Sequence, residues 1–163
     1  MKKMILLLAV TLPIVASAQK FGYINHLELF QLMPELKSAD AQLDSLNRQY
    51  ENMLVSMQEE YQKKYADYQA KAATMTEAIR QIQEEELASM QQRMQTTYQT
   101  AQQDIEKQQQ LLYAPIQERM IKAIQVVGEK QGFTYIFQSN ALLYTAPEAM
   151  NVIEDVKKEL GIK

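Results

Sequence analysis

Apolar and small residues fall at Leu36, Ala39, Leu43, Leu46, Tyr50, Met53, Met57, Tyr61, Tyr65, Tyr68 and Ala72, in steps of 3-4-3-4-3-4-4-4-3-4. This is the narrow two-position seam of a coiled coil, not the wide stripe of a helix lying on a core. A second seam follows at Ile79, Ile82, Leu87, Met90, Met94, Tyr98, Ala101, Ile105, Leu112, Ile116 and Met120. It is patchier, with Glu86 and Gln108 standing where apolar residues would help. The stretch SMQQRMQTTYQTAQQDIEKQQQ, Ser89 to Gln110, is too polar for a globular core and too apolar to stand alone.

Between Pro34 and Pro115 there are 80 residues without Gly or Pro, rich in Gln, Glu, Ala, Met and Leu, which is the composition of long helices. A chain reversal near 73–77 is predicted, with Thr74 capping the second helix and Glu77 as its capping-box partner. Folding back there pairs Tyr61 with Met90, Met57 with Met94, Met53 with Tyr98, Tyr50 with Ala101 and Leu46 with Ile105, numbers that each sum to 151. Apolar then meets apolar at every level. The spacing predicts a helical hairpin arm over 37–112, its first rod roughly 55 Å long at about 1.5 Å per residue. Two helices have no third layer, so the faces beside the seam stay wet unless another chain covers them. Gln and Thr keep such faces soluble, and Met and Tyr offer adaptable apolar contacts.

Outside the arm, over 19–36 and 113–163, the pattern changes. Lys20 to Asn25 reads as a strand, Phe133 to Gln138 as a second and Leu142-Leu143-Tyr144 as a third, with Ser139-Asn140 as a hairpin turn between the last two. Pro115 should kink the second helix or mark where arm passes into body, and Gly132 should end that helix. Asn151, with Glu154 three residues on, starts a last helix carrying Val152, Ile153, Val156 and Leu160. Phe21, Tyr23, Phe133, Tyr135, Phe137 and Tyr144 are too many aromatics for one small β-containing body to hide. Burial between subunits follows, because a body of this size gains much by oligomerising.

Charge and the chain ends narrow the function. Lys2 and Lys3, the apolar run Met4 to Val15 and Ala16-Ser17-Ala18 have the layout of a cleaved secretory signal over 1–18. Without it, 15 basic residues face 20 acidic ones, which repels nucleic acid and anionic membrane surfaces, and no stable membrane insertion is expected. An exported chain with no Cys gains stability from packing alone. With His26 as the only His and no Gly-rich phosphate loop, zinc, Cys-His and nucleotide chemistry have no material. Glu84-Glu85-Glu86 reads as a solvated helix face. No enzyme and no cofactor is expected.

Phe21-Gly22-Tyr23-Ile24-Asn25, then Glu28-Leu29-Phe30 and Met33-Pro34-Glu35, resemble the opening of the Skp/OmpH family of periplasmic chaperones. Leu112, Pro115-Ile116, Ala123-Ile124, Val127, Gly132-Phe133, Leu143-Tyr144 and Asn151-Val152-Ile153 with Val156 and Leu160 are similar to its closing half. The resemblance implies a mainly α trimer in the periplasm, its long hairpins projecting from a shared β-containing body around a cavity. It implies an ATP-independent holdase for unfolded outer-membrane proteins. The family's basic arms draw in acidic clients and lipopolysaccharide, whereas between Asp40 and Lys107 seven basic residues here face twelve acidic ones. Met53, Met57, Met90 and Met94, with Tyr50, Tyr61 and Tyr98, are read as zipping the hairpin. Apolar residues off the seam, Val55, Met75 and Leu111, are the candidates for touching clients. A coiled-coil spacer or tether of the cell envelope is the alternative.

Overall fold

The computed structural model describes residues 19–162, so the signal segment over 1–18 lies outside the described residues. The elements run β1 (Phe21–Ile24), α1 (His26–Gln31), α2 (Pro34–Lys71), a 3₁₀ turn (Ala72–Thr74), α3 (Glu77–Gln131), β2 (Tyr135–Gln138), a second 3₁₀ turn (Ser139–Ala141), β3 (Met150–Asn151) and α4 (Ile153–Leu160). The hairpin α2–α3 projects from a small base in which β1, α1, β2, β3 and α4 gather around the last third of α3.

Local chemistry sets the boundaries. Asn25 caps α1 through its side-chain oxygen, which accepts from Glu28 N at 3.3 Å. Pro34 opens α2 at a position whose N–H would have had no helical partner. At the far end Thr76, not Thr74, caps α3 by accepting from Ile79 N at 3.4 Å. Thr74 instead closes the preceding turn, its hydroxyl donating to the Lys71 carbonyl at 2.9 Å. The reversal therefore falls where the spacing placed it, with the cap two residues later. Gly132 ends α3 at φ 70°, and Phe133 N reaches back to the Gly128 carbonyl at 2.9 Å, a Schellman closure that needs the left-handed conformation. Pro115 lies within an unbroken α3. Upstream of it α3 packs on α2, and downstream Ile116, Met120, Ala123 and Val127 enter the base core.

The sheet differs from the expected hairpin of strands. Its order is β2-β1-β3 and both pairings are parallel, Phe21 opposite Tyr135 and Gly22 opposite Met150. Leu142-Leu143-Tyr144 is not a strand, and Ser139-Asn140 is not a hairpin turn. Ser139–Ala141 forms a 3₁₀ turn closed by Leu142 N on the Ser139 carbonyl at 3.3 Å. Without a Gly to supply positive φ, the two-residue reversal is unfavourable, and the chain crosses back to begin β3 on the other side of β1. Asn151 closes β3 and accepts from Ile153 N at 3.0 Å, and Val152 takes the cap position, so α4 starts one residue later than expected.

One sheet face is closed by the core: Ile24, Leu29, Met33, Ala39, the α3 residues named above, and Val152, Ile153, Val156 and Leu160. Gly22 is needed there, since a Cβ would stand 2.9 Å from the Phe133 ring and 3.1 Å from Val152. Arg119 ties the first turn of α2 to the end of α4 by pairing with Glu35 and donating to the Leu160 carbonyl at 3.0 Å. No helix of the described residues is long and apolar enough to cross a membrane.

Candidate functional site: uncovered arm faces and an aromatic base

Two surfaces have chemistry left over after the fold is made. The first is the hairpin. Its half-buried or buried positions on α2 include Leu36, Ala39, Leu43, Leu46, Tyr50, Leu54, Met57, Tyr61, Lys64 and Tyr68, and Ala72 continues them into the 3₁₀ turn. The facing positions on α3 include Arg80, Gln83, Leu87, Met90, Met94, Thr97 and Ala101. Of the expected seam, Tyr50, Met57, Tyr61, Met90 and Met94 lie between the helices, with Met90 buried. Met53 and Tyr98 do not: they are 49% and 53% exposed, and Leu54 and Thr97 take the inner places. Tyr65, Ile79 and Ile82 also turn outward.

Polar cross-ties complete this thin seam. Tyr50 donates to Asp104 at 3.0 Å, Tyr113 to Asp40 at 2.6 Å and Tyr68 to Glu84, while Gln91 donates to the Tyr61 hydroxyl at 2.7 Å. Lys64 pairs with Glu86. These pairs sum to between 150 and 154, the register of the predicted hairpin within one helical turn. The Tyr50, Tyr68 and Tyr113 phenols are each held above their ordinary value, first by the hydrogen bond to a carboxylate and then by burial. Glu84 and Glu86 are thus hairpin ties and not only a wet face. Sequence reasoning missed this, although a Tyr or Lys on α2 opposite a carboxylate in the predicted register was the available signal.

Beside the seam, Leu54, Val55, Tyr98, Ala101 and Ile105 line a groove of about 380 Å³ on one face of the arm. Val55 stands exposed at its edge, Leu111 is exposed nearer the base, and Met75 is half-buried at the turn. The three client candidates are therefore spread along the arm and form no common pocket.

The second surface is the sheet face opposite the core. Phe21 stacks on Tyr135 with ring centres 6.1 Å apart and 10° between planes, and Phe137 sits 6.1 Å from Phe21 and 5.9 Å from Tyr135. These three rings are 47%, 58% and 42% exposed, and Tyr23 beside them is half-buried. Phe133 is not in this row. It packs against the core, with the Lys20 ammonium 4.1 Å from its ring centre. Tyr144 stands apart on the connection to β3, largely exposed. A parallel sheet is ordinarily covered on both faces, so this face lacks its second layer. Among the described residues no cluster of His, Asp and Glu could hold a metal ion.

A family profile described as outer membrane protein (OmpH-like) matches residues 20–160. The chain is 27% identical over 146 residues to the chaperone protein Skp of Pectobacterium atrosepticum, covering 90% of this chain and 88% of that one. It is 26% identical over 164 residues to the chaperone protein Skp of Yersinia enterocolitica, covering 98% and 99%. A solved structure from Caulobacter crescentus, described as an OmpH-like outer membrane chaperone, superposes with a TM-score of 0.75 at 18% identity. That match covers 87% of this chain and 83% of the other, and shows the same fold.

Proposed function

The chain belongs to the OmpH-like family of outer membrane proteins, and from that premise we propose that it is an ATP-independent holdase of the periplasm. Its cargo is unfolded outer-membrane protein, kept from aggregating until it can insert. The observation that carries this reading is the arm: two helices with no third layer and apolar side chains left outside the seam. Such scattered Val, Leu, Met and Tyr side chains make many weak, exchangeable contacts, which suit clients of varied sequence.

In this proposal residues 37–112 hold cargo, with Val55, Met75 and Leu111 among the contacts, and 19–36 with 113–163 assemble the protein. The uncovered aromatic sheet face supports assembly, and a trimer is what the resemblance to the Skp/OmpH family implies. Segment 1–18 directs export and is removed. The acidic balance of the arms makes electrostatic capture a minor attraction.

The test is dilution of a β-barrel membrane protein from urea into buffer with and without the purified protein. Suppressed light scattering at a few-fold molar excess is the expected result. Scattering unchanged at several-fold excess would favour an envelope spacer, which needs a fixed, folded partner instead.

A further inference from the structure

The arm seam is tied by polar groups at some levels and not at others. Tyr50 reaches Asp104 on the base side, and Gln91 reaches the Tyr61 hydroxyl on the tip side. Between these two ties, among the described residues, no side-chain hydrogen bond or ion pair joins α2 to α3. Over that interval the helices meet through Leu54 and Met57 on α2 and through Met94, Thr97 and Ala101 on α3. Met57 and Met94 sum to 151, inside the range set by the ties, so the two thioethers share one level. Nearer the base the seam is filled by Leu43, Leu46, Ile105 and Leu112, whose side chains carry no sulfur.

The chain has ten Met and no Cys, so thioethers are its only oxidisable sulfur. Their exposure is graded. Met33, Met90 and Met120 are buried, Met57 and Met94 are half-buried in the seam, and Met53 stands 49% exposed on its flank. Because the arm has no third layer, a small oxidant reaches Met57 and Met94 from the side while the helices stay folded.

We propose that Met57 and Met94 form a reversible oxidation site that loosens the middle of the arm. The reagent is a peroxide or a hypohalous acid. Its O–O or O–halogen bond breaks, an S–O bond forms, and sulfur gives up two electrons. Water leaves in the first case, a halide ion and a proton in the second. The sulfoxide is a strong hydrogen-bond acceptor, and Leu54 and Ala101 beside it offer no side-chain donor. The oxidised side chains turn outward to water, and an interval without polar ties has little else to hold it closed. Met53 cannot act in this way, since its side chain already lies outside the seam. Enzymatic reduction of the sulfoxides restores the thioethers and the packing. The inference stands whether or not the arm holds unfolded cargo.

The test treats the purified protein with hydrogen peroxide in native buffer, maps oxygen uptake by peptide mass and follows amide hydrogen exchange. Met57 and Met94 should each gain one oxygen while Met33 and Met120 stay unmodified. Exchange over 51–60 and 92–101 should then quicken about tenfold, with β1 and α4 unchanged. A paired variant, Met57→Leu with Met94→Leu, keeps the apolar volume of the seam. After peroxide it should hold its untreated exchange rate, although Met53 and Met150 still take up oxygen. Sulfoxide reductases of both stereospecificities should return the wild-type rate to its starting value. The site is overturned by Met57 and Met94 that stay unmodified while Met53 oxidises, by full oxidation with unchanged exchange, or by the same acceleration in the paired variant. A rate that the reductases fail to restore overturns its reversibility.

Discussion

The base and the arm are made from one continuous helix, α3, yet they solve burial in different ways. In the base, four elements converge on α3, and Leu29 and Val156 lose all solvent contact. In the arm, α3 meets only α2, buried residues such as Leu87, Met90 and Ala101 are spaced apart, and tyrosine–carboxylate ties fill the intervals. The difference teaches a division of labour. A convergent core makes a fixed platform, whereas a two-layer rod leaves apolar side chains available on its flanks without unfolding. Arg119, bonded to Glu35 and to the α4 carboxyl end, sits at the boundary of the two regimes.

The comparison is sharpened most by emptying the base. Leu29→Ala should cost about 2–5 kcal/mol, because its site is enclosed on all sides and cannot collapse fully. Urea denaturation would read this as a lowered midpoint, and a loss under about 1 kcal/mol would deny the base its convergent core. Gly22→Ala comes next, at about 1–3 kcal/mol, since the new methyl must displace the Phe133 ring or Val152. The arm should respond differently. Replacing Tyr50, Tyr68 and Tyr113 together by Phe should speed amide exchange in α2 and the first two-thirds of α3. Exchange in β1 and α4 should stay unchanged.

Much of the arm was legible in the sequence because eighty residues without Gly or Pro repeat one period and reverse at one place. The inner face of α2 was misjudged at Met53 for a geometric reason. Heptad stepping uses 3.5 residues per turn, while the observed inner positions return after 18 residues, Leu36 to Leu54 to Ala72. Eighteen residues are five turns of an undistorted helix at about 3.6 per turn. Tyr98 lost its place to Thr97 because composition outranked geometry in reading a patchy seam. In the base, strand content at β1 and β2 was legible from β-branched and aromatic runs. The parallel order was not, since pairing Phe21 with Tyr135 depends on contacts more than a hundred residues apart. Leu142-Leu143-Tyr144 has a strand's composition, and its exposure in the single chain is legible only in three dimensions.

Two smaller effects test the arm's flanks. Val55→Gln with Leu111→Gln should leave stability within about 0.5 kcal/mol, both being exposed, yet reduce protection of an unfolded client. Unchanged protection would remove these residues from the client surface. The smallest effect is alkaline. The raised phenol values of Tyr50, Tyr68 and Tyr113 mean the folded arm holds protons that the unfolded chain releases above its ordinary value of 10.0. Their contribution is fully present below that pH and declines as pH rises through the folded values. Arm exchange, corrected for its intrinsic pH dependence, should therefore rise beyond the β1 control only above about pH 10.

The central claim, that a fixed base presents wet arms to an unfolded chain, is tested most directly by solution mass with and without an unfolded outer-membrane protein. The account predicts an oligomer of unchanged subunit number that gains the mass of a whole client. An oligomer whose mass does not change while the client precipitates beside it would contradict the account.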